Sequence, residues 1–245
     1  MNDWDRLFDD LYLKTYAPLQ PEEDAERLAL GAMWLAECEP AADVLDAACG
    51  YGRHSRVLAQ AGYRVVGLDR SPVLLAEARR RSDGAEWPRW VQGDYRELPF
   101  DAESFDAVIN LFTSFGFFGE EGDGRVLAEF RRVLRPGRAL VLETMHRDRL
   151  MAIFQEQDWQ ALPDGALRLN QRAFDSVDGV IEEALTYWPK GGEPTTVDYR
   201  LRIYTASELK RMALEAGLVD VQFYGDAAGG PLSRDSRLVL VARAR

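Results

Sequence analysis

Asp46, Gly50, Gly52, Asp69, Asp94 and Asn110 fall at intervals that suit a nucleoside-bearing ligand. The stretch "VLDAACGYGRHS", residues 44–55, sets an acid, two glycines and a histidine after a short apolar run. Glycine at 50 and 52 removes side chains where a backbone must approach a ligand. A helix opening near Arg53 offers free N–H groups and partial positive charge to an anion. Asp69 closes the next apolar run, where a carboxylate can accept both hydroxyls of a ribose. Asp94 closes a third and suits an adenine amino group. Each signal alone is weak, because G-x-G is common in turns and an Asp after a strand often caps a helix. Their common order and spacing carries the reading.

Other chemistry has less support. Cys38 and Cys49 form no C-x-x-C pair, and His54 and His146 lie far apart, so no metal site is read. The cysteines read as reduced cytosolic thiols. Asp46 has two open readings: sensing a ligand ammonium, or holding the loop. His54, one position into a helix, reads as structural.

These residues need strands that end side by side. Residues 42–48 and 63–69 read as buried strands, with a helix between them closed by Gly62. Ser71-Pro72 opens the next helix. Further strands are expected up to about Asp94, over 104–112 and over 138–145, the last after a helix stopped by Arg135-Pro136-Gly137. An amphipathic helix over 21–37 precedes them all. This alternation predicts an α/β fold with a doubly wound, mostly parallel sheet and ligands at the carboxyl ends of its strands. After His146 the pattern becomes alternating. Residues 165–189 read as a hairpin about Asp178-Gly179, and 196–205 as a third antiparallel strand. Thr205 and Glu208 form a capping box for a helix ending at Gly217, and two strands follow.

The bulk numbers fit one large domain with an insertion: 245 residues, 47% hydrophobic and 29% charged. No apolar run reaches the roughly 18 residues of a membrane span, and the N-terminal stretch does not read as a signal peptide, so a cytoplasmic protein without a membrane partner is expected. A net charge of −11 argues against nucleic acid as a partner. The basic clusters at 78–82 and 131–135 read as solvated helix faces.

Across nearly its whole length the chain resembles the class I S-adenosylmethionine-dependent methyltransferases. Residues 44–79, the segment "VQGDYRELPF", and "FDAVINLFTSFGFF" followed by "EFRRVLRPGRALVLE" are similar to that family's successive motifs. Ala48 stands where the family motif has its first glycine. The resemblance implies a seven-stranded, Rossmann-like sheet and S-adenosyl-L-methionine as cofactor. It puts Ala48 and Gly50 at the methionine part, Asp69 at the ribose, Arg70 beside the adenine, Asp94 and the Tyr95 backbone on the adenine edge, and Asn110 and Leu111 beside the sulfonium. Arg53 matches an arginine often found after the second glycine. The segment "DLYLKTYAP" looks like a lid, with Tyr12 and Tyr16 closing over the methionine end. The implied division is an N-terminal helical lid (1–40), a cofactor domain (41–146 and 204–245) and an antiparallel substrate cap (147–203).

A sulfonium methyl is already activated, so transfer needs in-line approach and exclusion of water more than a strong base. The expected acceptor is a small molecule, because Asn110-Leu111-Phe112-Thr113 lacks the Asn-Pro-Pro-aromatic run of amino methyltransferases of DNA and glutamine. His146, Arg200 and Arg202 are the candidate catalytic or substrate contacts, the two arginines sharing one strand face. Aromatics at 112, 115, 117, 118, 159, 187, 188 and 204 either wall the pocket or pack the core. The rival readings are an NAD(P)-dependent oxidoreductase, a non-catalytic cofactor-binding protein and aminopropyl transfer. Against the first, no Tyr-x-x-x-Lys occurs and Ser55 replaces the third glycine.

Overall fold

The computed structural model describes residues 4–82, 84 and 86–245. The first three residues of the expected N-terminal lid therefore lie outside the described residues. The chain opens with helical pieces: α1 (Trp4–Arg6), a π-helical turn (Leu7–Leu11) and α2 (Tyr12–Thr15), then the long helix α3 (Glu22–Leu35). The alternating core follows as β1 (Asp43–Ala47), α4 (Arg53–Gln60), β2 (Arg64–Asp69), α5 (Pro72–Arg80), β3 (Arg89–Gln92), β4 (Phe105–Asn110), α6 (Gly119–Val133) and β5 (Leu134–Thr144). The insertion holds α7 (Arg147–Ile153), β6 (Gln157–Ala161), β7 (Leu167–Asp175), β8 (Val180–Trp188) and β9 (Thr195–Arg202). The chain then returns through α8 (Ala206–Glu215), β10 (Leu218–Tyr224) and β11 (Leu238–Ala244).

The large sheet has seven strands in the order β10-β11-β5-β4-β1-β2-β3. Its first five strands in sequence pair in parallel, and β11 runs against both its neighbours. Both faces are covered, so strand residues alternate between two apolar layers. Leu45, Val108, Leu140 and Leu240 face α6 and α8; Val44, Ala107, Val141 and Val239 face α3 and α4. The strand order reverses between β1 and β4, which opens a crevice at their carboxyl ends.

Local signals set the element ends. Ser71 Oγ accepts from the Leu74 N–H at 3.2 Å, and Thr205 and Glu208 cap α8 reciprocally. β5 starts earlier than the expected residue 138, because Leu134 already pairs with Phe105 before the register shifts. The insertion forms its own four-stranded sheet, β6-β7-β8-β9. The hairpin and third strand match expectation, but β6 and α7 were not foreseen. The polar run of β6 becomes a strand only through its ladder to β7. A third apolar cluster joins this sheet to the N-terminal segment: Leu7, Leu11, Phe117, Ile181, Leu185, Val197 and Leu201. Among the described residues no helix is long and apolar enough to cross a membrane.

Candidate active site

A cavity of about 680 Å³ lies between the carboxyl ends of the large sheet, the N-terminal helical segment and the insertion sheet. Its first wall is built by the turn after β1. Ala48, Gly50 and Gly52 all take positive φ, at 60°, 57° and 76°. The Gly50 N–H donates to Asp69 Oδ2 at 2.8 Å, and the Ser71 N–H donates to Asp69 Oδ1 at 2.8 Å. Asp69 thus ties the ends of β1 and β2 together while lining the cavity. Burial raises its pKa against those N–H bonds.

The two motif glycines do different work. A Cβ on Gly50 would meet nothing within 4 Å, so that backbone is open to a ligand. A Cβ on Gly52 would sit 2.1 Å from Trp90 Cη2. Gly52 therefore makes room for an indole, not for a ligand, and it lies off the cavity wall. Asp46 also lies off the wall. It accepts from Ser55 Oγ at 2.5 Å and braces the first turn of α4. Burial pushes its pKa up to about 7. The Ser55 bond ties Asp46 to α4 rather than to the cavity.

The turn after β4 is strained. Phe112 and Thr113 are consecutive non-glycine residues at φ 62° and 61°. Such conformations persist only where surroundings over-determine them, and they cluster at functional sites. Here Glu143 Oε2 accepts from the Phe112 N–H at 2.8 Å, and the Glu143 carbonyl accepts from the Thr113 N–H at 3.1 Å. Arg237 donates to Glu143 and, at 2.7 Å, to Thr113 Oγ1. Arg53 stacks over the Phe112 ring at 4.1 Å. Sequence analysis did not single out Glu143 or Arg237, because no local spacing links either of them to Phe112. Asn110 is buried behind this turn, donating to the Ala47 carbonyl at 2.9 Å, and Leu111 reaches the wall.

The N-terminal segment roofs the cavity with Trp4, Leu7, Phe8, Tyr12 and Tyr16. Its helix breaks at Phe8 and Asp9, whose φ/ψ are not helical. Tyr12 and Tyr16 stack with ring centres 5.3 Å apart. Gln20 links Tyr12 to Tyr51, which lines the wall below. Burial pushes the Tyr12 pKa up to about 12. Arg70 anchors the roof, stacking on Trp4 at 4.5 Å and bonding Asp5 at 3.1 Å.

The wall thus gathers Tyr12, Tyr16, Ala48, Gly50, Arg53, Asp69, Arg70, Tyr95 and Leu111. Asp94 stays outside it, its carboxylate taken by the Arg96 guanidinium at 2.6 Å. His54, read as structural, is buried and also lines the cavity, and its Nε2 has no hydrogen-bond partner among the described residues. Burial first, and the neighbouring Arg53 second, hold its pKa well below the ordinary value, so it stays neutral.

His146, Arg200 and Arg202 are not brought together at the cavity. His146 is buried beside Asp148, at 3.6 Å. Val197, Tyr199 and Leu201 take the inner face of β9, so the alternating arginines point outward. Arg200 pairs with Glu182 at 3.1 Å and Arg202 with Glu208 at 2.8 Å. Of the expected aromatics, Phe112, Phe117 and Phe118 reach the wall. Phe115 and Tyr204 sit in the core, and Trp159 and Trp188 are exposed.

Residues 44–137 match the family model for a methyltransferase domain. The chain is 30% identical over 181 residues to a demethylmenaquinone methyltransferase of Clavibacter sepedonicus, covering 72% of this chain and 70% of that protein. It is 41% identical over 114 residues to a glycine/sarcosine N-methyltransferase of Parasynechococcus marenigrum, covering 45% of this chain and only 40% of that relative's length. Among solved structures, an amino pentose methyltransferase of Micromonospora echinaspora with S-adenosylmethionine bound superposes with a TM-score of 0.71 at 25% identity, over 96% of this chain and 97% of that one. The CcbJ methyltransferase of Streptomyces caelestis shares the fold, with a TM-score of 0.82 at 24% identity over 97% and 96% of the two chains.

Proposed function

We propose that this chain, which belongs to the S-adenosylmethionine-dependent methyltransferases, methylates a small-molecule acceptor held between its parallel sheet and its antiparallel insertion. The observation that carries the reading is the single cavity running from the Gly50–Asp69 cradle to the insertion sheet. Three of the relatives and neighbours named above act, by their names, on demethylmenaquinone, on glycine and sarcosine, and on an amino pentose, which are small molecules. The acidic balance of −11 supports an acceptor other than nucleic acid.

The cradle suits the cofactor. The open backbone at Gly50 admits a close contact, and the Asp69 carboxylate offers acceptors to a ribose. Arg53, at the start of α4, supplies positive charge for a carboxylate. Tyr12 and Tyr16 close the roof as a lid, and the insertion serves as the acceptor's cap. When bound, the cofactor supplies a sulfonium methyl that needs no further activation. The chain's own work is then to bind, orient and exclude water. The strained Phe112–Thr113 turn, braced by Glu143 and Arg237, sets the floor where the two halves of the cavity meet. The buried, unpaired thiols of Cys38 and Cys49 suit a reducing cytoplasm.

Calorimetric titration of the purified chain with S-adenosylhomocysteine, NAD and NADP tests the reading. One molecule of S-adenosylhomocysteine per chain is expected. Binding of a nicotinamide cofactor alone would overturn it.

A further inference from the structure

The insertion sheet turns one face to the cavity, and its register arranges that face in rows. Asn170, Leu185 and Val197 pair across β7, β8 and β9 in one row; Phe174, Ile181 and Leu201 pair in another. Between them runs Arg172, Glu183 and Tyr199. All three line the cavity. Arg172 donates to Glu183 at 2.8 Å and to Asp158 at 2.8 Å, and Tyr199 stands directly opposite Glu183 in the register. From the roof, the Tyr16 hydroxyl comes within 3.4 Å of the Tyr199 hydroxyl.

This row is not what packing requires. On β8 and β9 the neighbouring rows fill the same face with Leu185, Val197, Ile181 and Leu201, while on β7 Asn170 joins the polar network by donating to Asp158, and a buried ion network is rarely more stabilising than apolar residues of similar volume. Nor is it closed on itself. Two carboxylates, Asp158 and Glu183, share one guanidinium, which leaves the cluster one charge negative. Beside it Arg168 also lines the wall, bonded to Gln160 at 3.0 Å and stacked over Tyr16 at 4.8 Å. Its buried Nε has no partner among the described residues. With Arg168 the charges at this end balance, and it offers carboxylate oxygens of Asp158 and Glu183 beside the unused Nε donor of Arg168, whose Nη1 reaches the Thr15 carbonyl at 3.4 Å. A molecule carrying both a basic amine and hydroxyls satisfies both. A flat apolar acceptor would use neither the spare carboxylate acceptor capacity nor the Arg168 Nε donor.

We propose that the row Arg172–Glu183–Tyr199, with Arg168 and Tyr16 beside it, is the acceptor-recognition subsite and selects a hydroxylated amine over an apolar aromatic molecule. The proposal rests on the reading of the cavity as a methyl-transfer site. In it, Glu183 takes N–H or O–H donors of the acceptor, and Arg168 takes a hydroxyl oxygen.

Ligand-observed NMR on the full chain saturated with S-adenosylhomocysteine tests it, with a fixed set of amino sugars and amino polyols against a set of naphthols and naphthoquinols. The amino set is expected to bind. Glu183→Gln should weaken it at least tenfold while the affinity for S-adenosylhomocysteine stays within twofold. Tyr199→Phe, which removes one hydroxyl, should weaken it several-fold and serves where Glu183→Gln does not fold. Binding of the apolar set alone, no binding by any amino compound, or affinities untouched by both substitutions overturns the proposal. Failure of the wild-type chain to bind S-adenosylhomocysteine would instead overturn the methyltransferase reading.

Discussion

The two walls of the cavity are made of different materials. At the carboxyl ends of β1, β2 and β4 the shape is set by backbone: Ala48, Gly50, Phe112 and Thr113 all hold positive φ, and acids buried beneath them, Asp69 and Glu143, accept their N–H groups or those of their neighbours. On the insertion sheet the shape is set by side chains standing on regular strands, with charges paired across β6, β7 and β8. The acids respond accordingly. Burial raises Asp46 to about 7 and moves Asp69 upward. Burial would raise Asp158 too, but bonds from Arg172 and Asn170 hold it below the ordinary carboxylate value. A backbone cradle suits a constant cofactor, since main-chain N–H groups are offered whatever the side chains are. A side-chain face can be re-specified one residue at a time, which suits a variable acceptor.

The comparison is open to attack at several points. Asp69→Ala removes the acceptor of the Gly50 and Ser71 N–H groups as well as the proposed ribose contact. It should weaken S-adenosylhomocysteine binding by about 3 kcal/mol, roughly a hundredfold, in calorimetric titration. Unchanged affinity would remove the cradle from the cofactor. The paired glycines should separate stability from binding. Gly52→Ala, driven into Trp90, should lower unfolding free energy in urea by about 2–3 kcal/mol. Gly50→Ala, with open space around its Cβ, should cost only the left-handed strain of about 1 kcal/mol yet weaken the cofactor product more than tenfold. Equal losses of stability would erase the distinction between them.

A pH series reaches the acids beneath the first wall. Asp46 has a folded pKa of about 7 against an ordinary 3.8, so protonation favours the fold. Its contribution is fully present below the unfolded value and is lost as pH rises through about 7, at no more than about 1.4 kcal/mol per pH unit. Asp46→Asn should abolish that decline between pH 4 and 7 in thermal melts of the cofactor-free chain, where wild type keeps it. The smallest effect is expected from Arg200→Ala. That side chain pairs with Glu182 on the outward face, and its loss should change stability by less than about 0.5 kcal/mol and leave cofactor affinity unaltered. A large loss of turnover in this variant would return the outward face of β9 to the site.

The two materials differ equally in how well they can be read without coordinates. Gly50, Asp69 and the capping pairs Ser71–Leu74 and Thr205–Glu208 depend on contacts within a few residues or on one βαβ unit, so spacing reveals them. Glu143 and Arg237 are distant from Phe112 in sequence and meet it only because β4, β5 and β11 lie in one sheet. The arginines of β9 were assigned to one face, which holds, but the direction of that face depends on whether Tyr199 or Arg200 is turned inward by the apolar packing of Ile181, Leu185 and Leu201 against the roof.

By itself, then, the sequence determined the alternating α/β core, the spacing that brings Gly50 and Asp69 together, and the family. Apolar periodicity and glycine spacing act through local backbone geometry, which the order of residues already contains. Only the tertiary structure decided that Gly52 serves Trp90, that Phe112 and Thr113 are held strained by Glu143, and that Arg172, Glu183 and Tyr199 form one row at the cavity. Those outcomes rest on strand register and on contacts between segments far apart in the chain, where a shift of one residue would turn each side chain to the opposite face.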